Sequence, residues 1–228
     1  MCESGTVRAC GAWVWTRGLG GHVKRGRLIV FEGLDGCGKS TQLRRVAEAL
    51  RERGLDPVVT REPTDGAWGR RIREMAQSGR AVAPETELAW FFEDRREHMR
   101  DVVRPALEAG RLVLSDRSYL STVAYQGARG LDAAKILADS EAEFERPDCV
   151  LLFVIPAREG LARVAARGGV AEPVFENLEF LERVEAIFEG LDLPGLVRID
   201  GRRSEDAIAA EVLAVVLGQL DGLHEAMP

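Results

Sequence analysis

Two hydrophobic periods alternate along this chain. From residue 27 onward, short apolar runs are separated by longer stretches in which apolar residues recur every three or four positions, as strands interleaved with amphipathic helices do. Residues 28–31 are apolar and end in Glu32; a glycine-rich turn follows, then a helical pattern from Lys39 to Arg53 that Gly54 stops. Residues 57–60 (PVVT) form a second β-rich run, 67–78 read as a helix, and Pro84 opens a longer helical stretch to Ala109, ended by Gly110. Residues 112–115 (LVLS) are a third strand running into Asp116, and a helix-rich segment covers 119–144. Residues 149–155 are continuously apolar between Pro147 and Pro156 and make a fourth strand. Helices are predicted over 157–167 and 174–189 around a Gly168-Gly169 loop, a fifth strand over 196–199, and a last helix capped by Ser204 that reaches about Leu220.

Strands that alternate with helices and are apolar on both faces imply a parallel sheet covered on both sides. The expected fold is α/β: five parallel strands with helices on both faces, in a single domain over residues 27–225, with a short lid over about 163–174. Residues 1–26 lack either period and hold Gly5, Gly11, Gly18, Gly20 and Gly21 with Trp13 and Trp15; they are expected to be a disordered extension, the alternative being that the two tryptophans dock on the body or on a partner.

The chain has 228 residues, 46% hydrophobic and 30% charged, enough for one buried core and short for two. Its net charge of −6 argues against a protein that coats duplex DNA or an anionic membrane, and no apolar run approaches the roughly 18 residues of a transmembrane helix. Cys2, Cys10, Cys37 and Cys149 form no Cys-x-x-Cys pair and are not completed by His22, His98 or His224 into a metal set, so a reducing cytoplasmic setting is expected.

Residues 33–40 read GLDGCGKS, the G-x-x-x-x-G-K-[ST] pattern, between a strand and an amphipathic helix. Gly33, Gly36 and Gly38 let successive backbone N–H groups face one anion, and the helix N-terminus adds partial positive charge. Gly33 through Thr41 (Leu34, Asp35 and Cys37 included) are therefore expected to hold the phosphates of a nucleoside triphosphate, with Lys39 bridging the β- and γ-phosphates and Ser40 ligating Mg²⁺; the loop alone leaves a GTPase, an ATPase and a kinase open. Cys37 reads as a small filler in that loop. Asp116, at the end of the third strand, is the candidate second magnesium anchor; a helix N-cap is its alternative role. Arg61, in TREP after the second strand, and Arg117 belong at the carboxyl edge of the sheet with the loop. Phe91, Arg95 and His98 share a helical face, and an aromatic with an arginine suits a planar, carbonyl-bearing acceptor; His98 itself reads as a satisfied polar group.

FEGLDGCGKST (31–41), TREPTDGAWGRRIRE (60–74), DRREH (94–98) and SDRSYLSTVAYQGARG (115–130) together resemble the thymidylate kinase family of the nucleoside monophosphate kinase group, in that family's order and spacing. The last stretch is the most specific. The resemblance implies a P-loop kinase that phosphorylates dTMP to dTDP with ATP and Mg²⁺, in the cytoplasm, as a homodimer. It implies that Asp35 bonds the deoxyribose 3′-hydroxyl and that Arg61 and Arg117 grip the acceptor phosphate. Phe91 would stack on thymine, Arg95 bond its carbonyl edge, and Ser121 and Gln126 line the base pocket. Tyr125 would disfavour a 2′-hydroxyl, Glu62 and Asp116 would arrange magnesium and its waters, and the bond before Pro63 would be cis.

The chain also departs from the family. Relatives carry a catalytic arginine in the P-loop or in the lid. Here the loop position is Gly36, and ungapped spacing puts Ala171 and Glu172 where many bacterial relatives have Asp-Arg. Arg163 and Arg167 remain as lid cations, unless they are merely solvated helix residues. Two other readings stay open: a deoxynucleoside kinase, which would need a carboxylate base with Glu62 the obvious candidate, and a non-catalytic nucleotide-binding regulator.

Overall fold

A computed structural model of the chain describes residues 25–168, 172–175 and 177–224. Trp13, Trp15 and all but the last two residues of the expected extension lie outside the described residues, as do positions 169–171 of the lid. Where the description begins, Arg25 pairs with Glu145, and Gly26 N–H donates to Leu107 O at 2.8 Å.

Five parallel strands form one sheet: β1 (Leu28–Gly33), β2 (Val58–Arg61), β3 (Val113–Asp116), β4 (Cys149–Val154) and β5 (Leu196–Asp200), in the order β2-β3-β1-β4-β5. The described helices are α1 (Lys39–Glu52), α2 (Ala67–Ser78), α3 (Pro84–His98), α4 (Arg104–Glu108), α5 (Tyr119–Ala128), α6 (Ala133–Glu143), α7 (Ala157–Arg167), α8 (Leu178–Glu189) and α9 (Glu205–His224). The two-residue period of the strands sorts the core onto two faces. Leu28 and Val30 of β1, Val113 of β3, and Val150 and Leu152 of β4 join the cluster that also takes residues of α2, α5 and α8. Ile29 and Phe31, Leu114, and Leu151 and Phe153 point the other way, onto α1 and α9. The sheet is thus buried on both sides, as its continuous apolar runs imply.

Three boundaries differ from the sequence pattern, each for a local reason. The stretch expected as one helix from Pro84 to Ala109 is interrupted by a π-helical turn over Met99–Val103, in which Arg104 N–H reaches back five residues to Met99 O. Pro105 follows at once; it has no N–H to give and would crowd the carbonyl four residues back, so the widened turn accommodates it. The 119–144 segment divides at Gly130, φ +99°, and restarts at Asp132, whose carboxylate accepts from Lys135 N–H at 3.0 Å. The helix expected from 174 starts at Leu178, capped by Asn177, which accepts from Phe180 N–H at 3.1 Å. Ser204 caps α9, accepting from Ala207 N–H at 3.3 Å.

Leu151 lies on the second strand from one edge of the sheet and is wholly buried against α1 and α9. Leu151→Ala should lower the unfolding free energy by about 2–5 kcal/mol, read from urea denaturation monitored by circular dichroism.

Candidate active site

Strand register assembles the site. Across β1, β3 and β2, Phe31 stands opposite Asp116 and Asp116 opposite Arg61. Glu32 and the phosphate-loop glycines therefore emerge from the same carboxyl edge as Asp116-Arg117 and Arg61-Glu62. The loop turns through Gly33, Gly36 and Gly38 at φ of +134°, +83° and +100° and enters α1 at Lys39. Lys39 is almost fully buried and donates to Leu34 O at 3.1 Å and to Asp35 Oδ1 at 3.3 Å. One residue on, Ser40 Oγ donates to Asp116 Oδ2. These two oxygens, expected from opposite ends of the sequence argument, are in contact.

Arg117 is the only non-glycine residue at positive φ (+77°) among the described residues. Its N–H donates to Phe31 O at 2.9 Å, and its guanidinium bonds Asp35 Oδ1 at 2.6 Å and Ser121 Oγ at 2.8 Å. A bulky side chain in this backbone conformation is strained and has to be held there by its neighbours, as is common at functional sites. Burial alone would raise the Asp35 pKa, but the Arg117 and Lys39 charges hold it well below the carboxylate range. Tyr125, beneath Arg117 with its ring centroid 5.3 Å from Cζ, closes that corner, and burial pushes its phenol up.

Glu32, fully buried, anchors the start of α5. Its Oε1 accepts from Ser118 N–H and Ser118 Oγ at 2.7 Å each and from Ser121 N–H at 3.2 Å; its Oε2 accepts from Ser121 Oγ at 2.6 Å. Burial pushes its pKa up, while these donors and Arg117 oppose the shift. The sequence offered Glu32 only as the end of an apolar run.

On the acceptor side, Arg61 and Arg73 both bond Asp65 Oδ1, at 2.7 and 3.0 Å. Arg95 is 1% exposed and gives Nε to Glu62 Oε2 and one terminal nitrogen to Thr122 Oγ1, each at 2.8 Å. Phe144 covers it, with Cζ 5.3 Å from the ring centre. His98 bonds Glu62 Oε1 through Nδ1 at 2.9 Å and Thr60 Oγ1 through Nε2 at 2.7 Å, so it is a satisfied polar group as its place on the helix suggested. Burial alone would raise the Glu62 pKa, but the charge of Arg95 and the bond to His98 bring it down to about 2. The Glu62–Pro63 bond is cis.

A cavity of about 230 Å³ lies between the phosphate loop, α2, α3 and α5. Asp35, Lys39, Ser40, Arg61, Glu62, Phe91, Asp116, Arg117, Ser121 and Tyr125 line it, which brings half of the sequence-chosen residues, and all of the acceptor-side ones but Arg95 and Gln126, to the lining of one cavity. Gln126 is wholly buried, with its amide nitrogen on Glu87 Oε1 at 2.6 Å. Ile72, Arg73, Ala76, Thr122 and Phe175 are lining residues that motif spacing did not single out, and Glu172, which stands where many relatives have a lid cation, lines it as well. Phe175 is tied in by edge contact with Tyr125, centroids 5.7 Å apart, and by stacking on Phe180. A wider cleft of about 780 Å³ opens from the same Ser40, Arg61 and Asp116 edge between α1 and β2.

The lid arginines stand apart from the cavity. Arg163 donates to Gly201 O at 2.9 Å, and exposed Arg167 gives Nε to Arg163 O at 3.4 Å. Their helix abuts the phosphate loop: a Cβ built on Gly36 would fall 2.3 Å from Gly160 O, and one on Gly160 would fall 2.6 Å from Asp35 O. No side chain fits at Gly36 with α7 in this place.

The sequence model of the family described as "Thymidylate kinase" matches residues 31–212. A thymidylate kinase of Desulfotalea psychrophila is 41% identical over 191 residues, 84% of this chain and 94% of that protein. One of Akkermansia muciniphila is 42% identical over 189 residues, 83% of this chain and 90% of its own length. One of Xanthomonas campestris pv. campestris is 43% identical over 195 residues, 86% and 85% of the two chains.

The Glu62 carboxylate makes a pH prediction. Its pKa is depressed from 4.5 to about 2, so its contribution to stability is complete above 4.5 and is lost as the pH falls toward 2. Urea unfolding at a series of pH values should show this loss in the wild type, and a shallower acid limb in Glu62→Gln.

Proposed function

The chain belongs to the thymidylate kinase family and phosphorylates dTMP to dTDP, and we propose that it takes the phosphoryl group from ATP, with Mg²⁺ bound at Ser40 and Asp116. The observation that carries the site reading is the convergence of Lys39, Arg61 and Arg117 with Phe91 and Tyr125 around one cavity, beside the contacting oxygens of Ser40 and Asp116. Two hard oxygens suit a cation that arrives largely coordinated by phosphates and water; among the described residues no group of three or more His, Cys, Asp or Glu could cage a metal. Mg²⁺, when bound, neutralises charge that develops on the transferring group.

The loop amides and Lys39 hold the donor phosphates. Arg61 and Arg117 orient the dTMP phosphate in line with them, Phe91 lies against the base, Asp35 takes the 3′-hydroxyl, and Tyr125 fills the space a 2′-hydroxyl would need. Arg95, Ser121 and Gln126 complete base recognition, Arg95 and Gln126 from just behind the wall. The nucleophile is a phosphate oxygen that is already anionic, so alignment and charge neutralisation are enough and no general base is needed. Glu62 supports this choice over a nucleoside 5′-hydroxyl acceptor: both its oxygens are engaged and its pKa lies near 2, a poor base. Arg163 and Arg167 supply the remaining cation when the lid segment over 163–174 closes, and the lack of room at Gly36 supports assigning that task to the lid. We further propose one kinase domain over 27–225 preceded by an extension over 1–26, a cytoplasmic setting, and a homodimer packed through helices that flank the sheet. Among the described residues no helix is long and apolar enough to cross a membrane.

Purified protein supplied with ATP, Mg²⁺ and either dTMP or thymidine should form ADP far faster with dTMP; equal or faster turnover on thymidine would sink the monophosphate reading, and ATP binding without turnover on either would favour the regulator. Arg167→Ala should lower kcat by about 10²-fold or more with little change in nucleotide affinity. An unchanged kcat removes Arg167 from the mechanism.

A further inference from the structure

We propose that His98 is a positioning residue for acceptor-base recognition: through Glu62 it sets the orientation of the Arg95 guanidinium. The geometry is a buried relay that starts on β2 and ends on α5. Thr60 Oγ1 meets His98 Nε2 at 2.7 Å, His98 Nδ1 meets Glu62 Oε1 at 2.9 Å, Glu62 Oε2 accepts from Arg95 Nε at 2.8 Å, and Arg95 donates onward to Thr122 Oγ1 at 2.8 Å. Glu62, Arg95, His98 and Thr122 are all below one-tenth exposed.

Each link constrains the next. Ionised Glu62 only accepts, so His98 Nδ1 carries the hydrogen it gives to Oε1. That bond fixes the rotation of the carboxylate and so the direction of Oε2. Two guanidinium nitrogens of Arg95 are thereby committed, Nε to Glu62 and one terminal nitrogen to Glu62 and Thr122. The third, Nη1, is buried and has no hydrogen-bond partner. An unpaired N–H of a buried cation is costly unless a ligand group completes it. Arg95 bonds Glu62 and Thr122 and follows Phe91 by one turn of α3, and all three of those residues line the cavity where the acceptor base is placed. A carbonyl oxygen on the base edge is the chemistry that would satisfy it, and an exocyclic amine at that position would set donor against donor. His98 thus acts on selectivity without touching substrate.

This inference rests on the reading of Arg95 as the group that meets the base, and the test separates the two. Asparagine places its amide nitrogen where the imidazole has Nδ1, and glutamine places its own near Nε2. His98→Asn should keep the Glu62 bond, with the KM for dTMP within about twofold of wild type. His98→Gln should lose it, with that KM raised about tenfold, preference for dTMP over dCMP reduced by a similar factor, and the KM for ATP unchanged. Thermal melting of both variants checks that they fold. Equal effects of the two variants, or an effect shared by the KM for ATP, would overturn the positioning role, since a space-filling histidine does not care which nitrogen is kept. Arg95→Met is the control. If it leaves the dTMP-over-dCMP preference intact, the base-contact reading of Arg95 fails and the His98 proposal falls with it; if it abolishes that preference while His98→Gln does not reduce it, only the His98 proposal fails.

Discussion

The arrangement of this molecule depends on the parallel register of three strands. Arg61, Asp116 and Phe31 stand abreast on β2, β3 and β1, and Glu62, Arg117 and Glu32, the last leading into the phosphate loop, come one residue beyond that line. Parallel strands all end at the same edge, so a glycine loop, a carboxylate and two arginines from distant parts of the chain arrive together with no loop having to reach for them. Glu32 then ties the edge to α5 through four hydrogen bonds, which turns the start of that helix toward the loop. A slip of one residue in β3 would exchange Val113 and Leu114 between the two core faces as well as displacing Asp116 from Ser40. The register that buries the core is the one that builds the site.

That coupling explains what could be read from the chain beforehand. The five strands and the phosphate loop were legible because they are local: a run of apolar residues, a glycine spacing, a lysine and a serine in fixed order. The place of Arg61 and Asp116 followed from one rule about strand ends. Partnerships across the fold were not legible. Glu32 with Ser118 and Ser121, Glu62 with Arg95 and His98, and Gln126 with Glu87 are matched only once α3 and α5 pack on the sheet. Gln126 could be placed near the base by motif alone, but its bond to the buried Glu87 carboxylate, which sets it just behind the cavity lining, could not. Phe175 had no motif at all; its place is set by packing on Tyr125 and Phe180. The π-helical turn was different, since Pro105 in a helical pattern was a visible signal that the hydrophobic period overrode.

The lid follows the same logic from the opposite direction. Two glycines, Gly36 and Gly160, let the phosphate loop and α7 approach backbone to backbone. Close packing there leaves no room for a cationic side chain at position 36. It also places the first turns of α7 on the loop that would hold the donor phosphates, so a movement of the helix is felt by that loop. Arg163, farther along α7, is meanwhile anchored to the carbonyl of Gly201 beyond β5, which links the lid to a third element of the same edge.

Charge is the remaining tension. The chain carries −6, and setting aside residues 1–26 leaves −9 on the rest, a poor starting point for binding two polyanions. Yet the cations at the edge are not bare: Lys39 and Arg117 face Asp35, Arg61 and Arg73 share Asp65, and Arg95 faces Glu62. These pairs fall into two kinds. Arg95 and Glu62 are buried, so separating them would leave an unpaired charge in a low dielectric, and the pair works as fixed scaffolding. Asp65 is three-quarters exposed, so an arginine can leave it for a phosphate at small cost because water takes over the carboxylate. An exposed acid therefore keeps a phosphate-seeking arginine near its working position without holding it there. The excess of acid that seemed to argue against anionic substrates is in part the set of groups that keeps their cations in place.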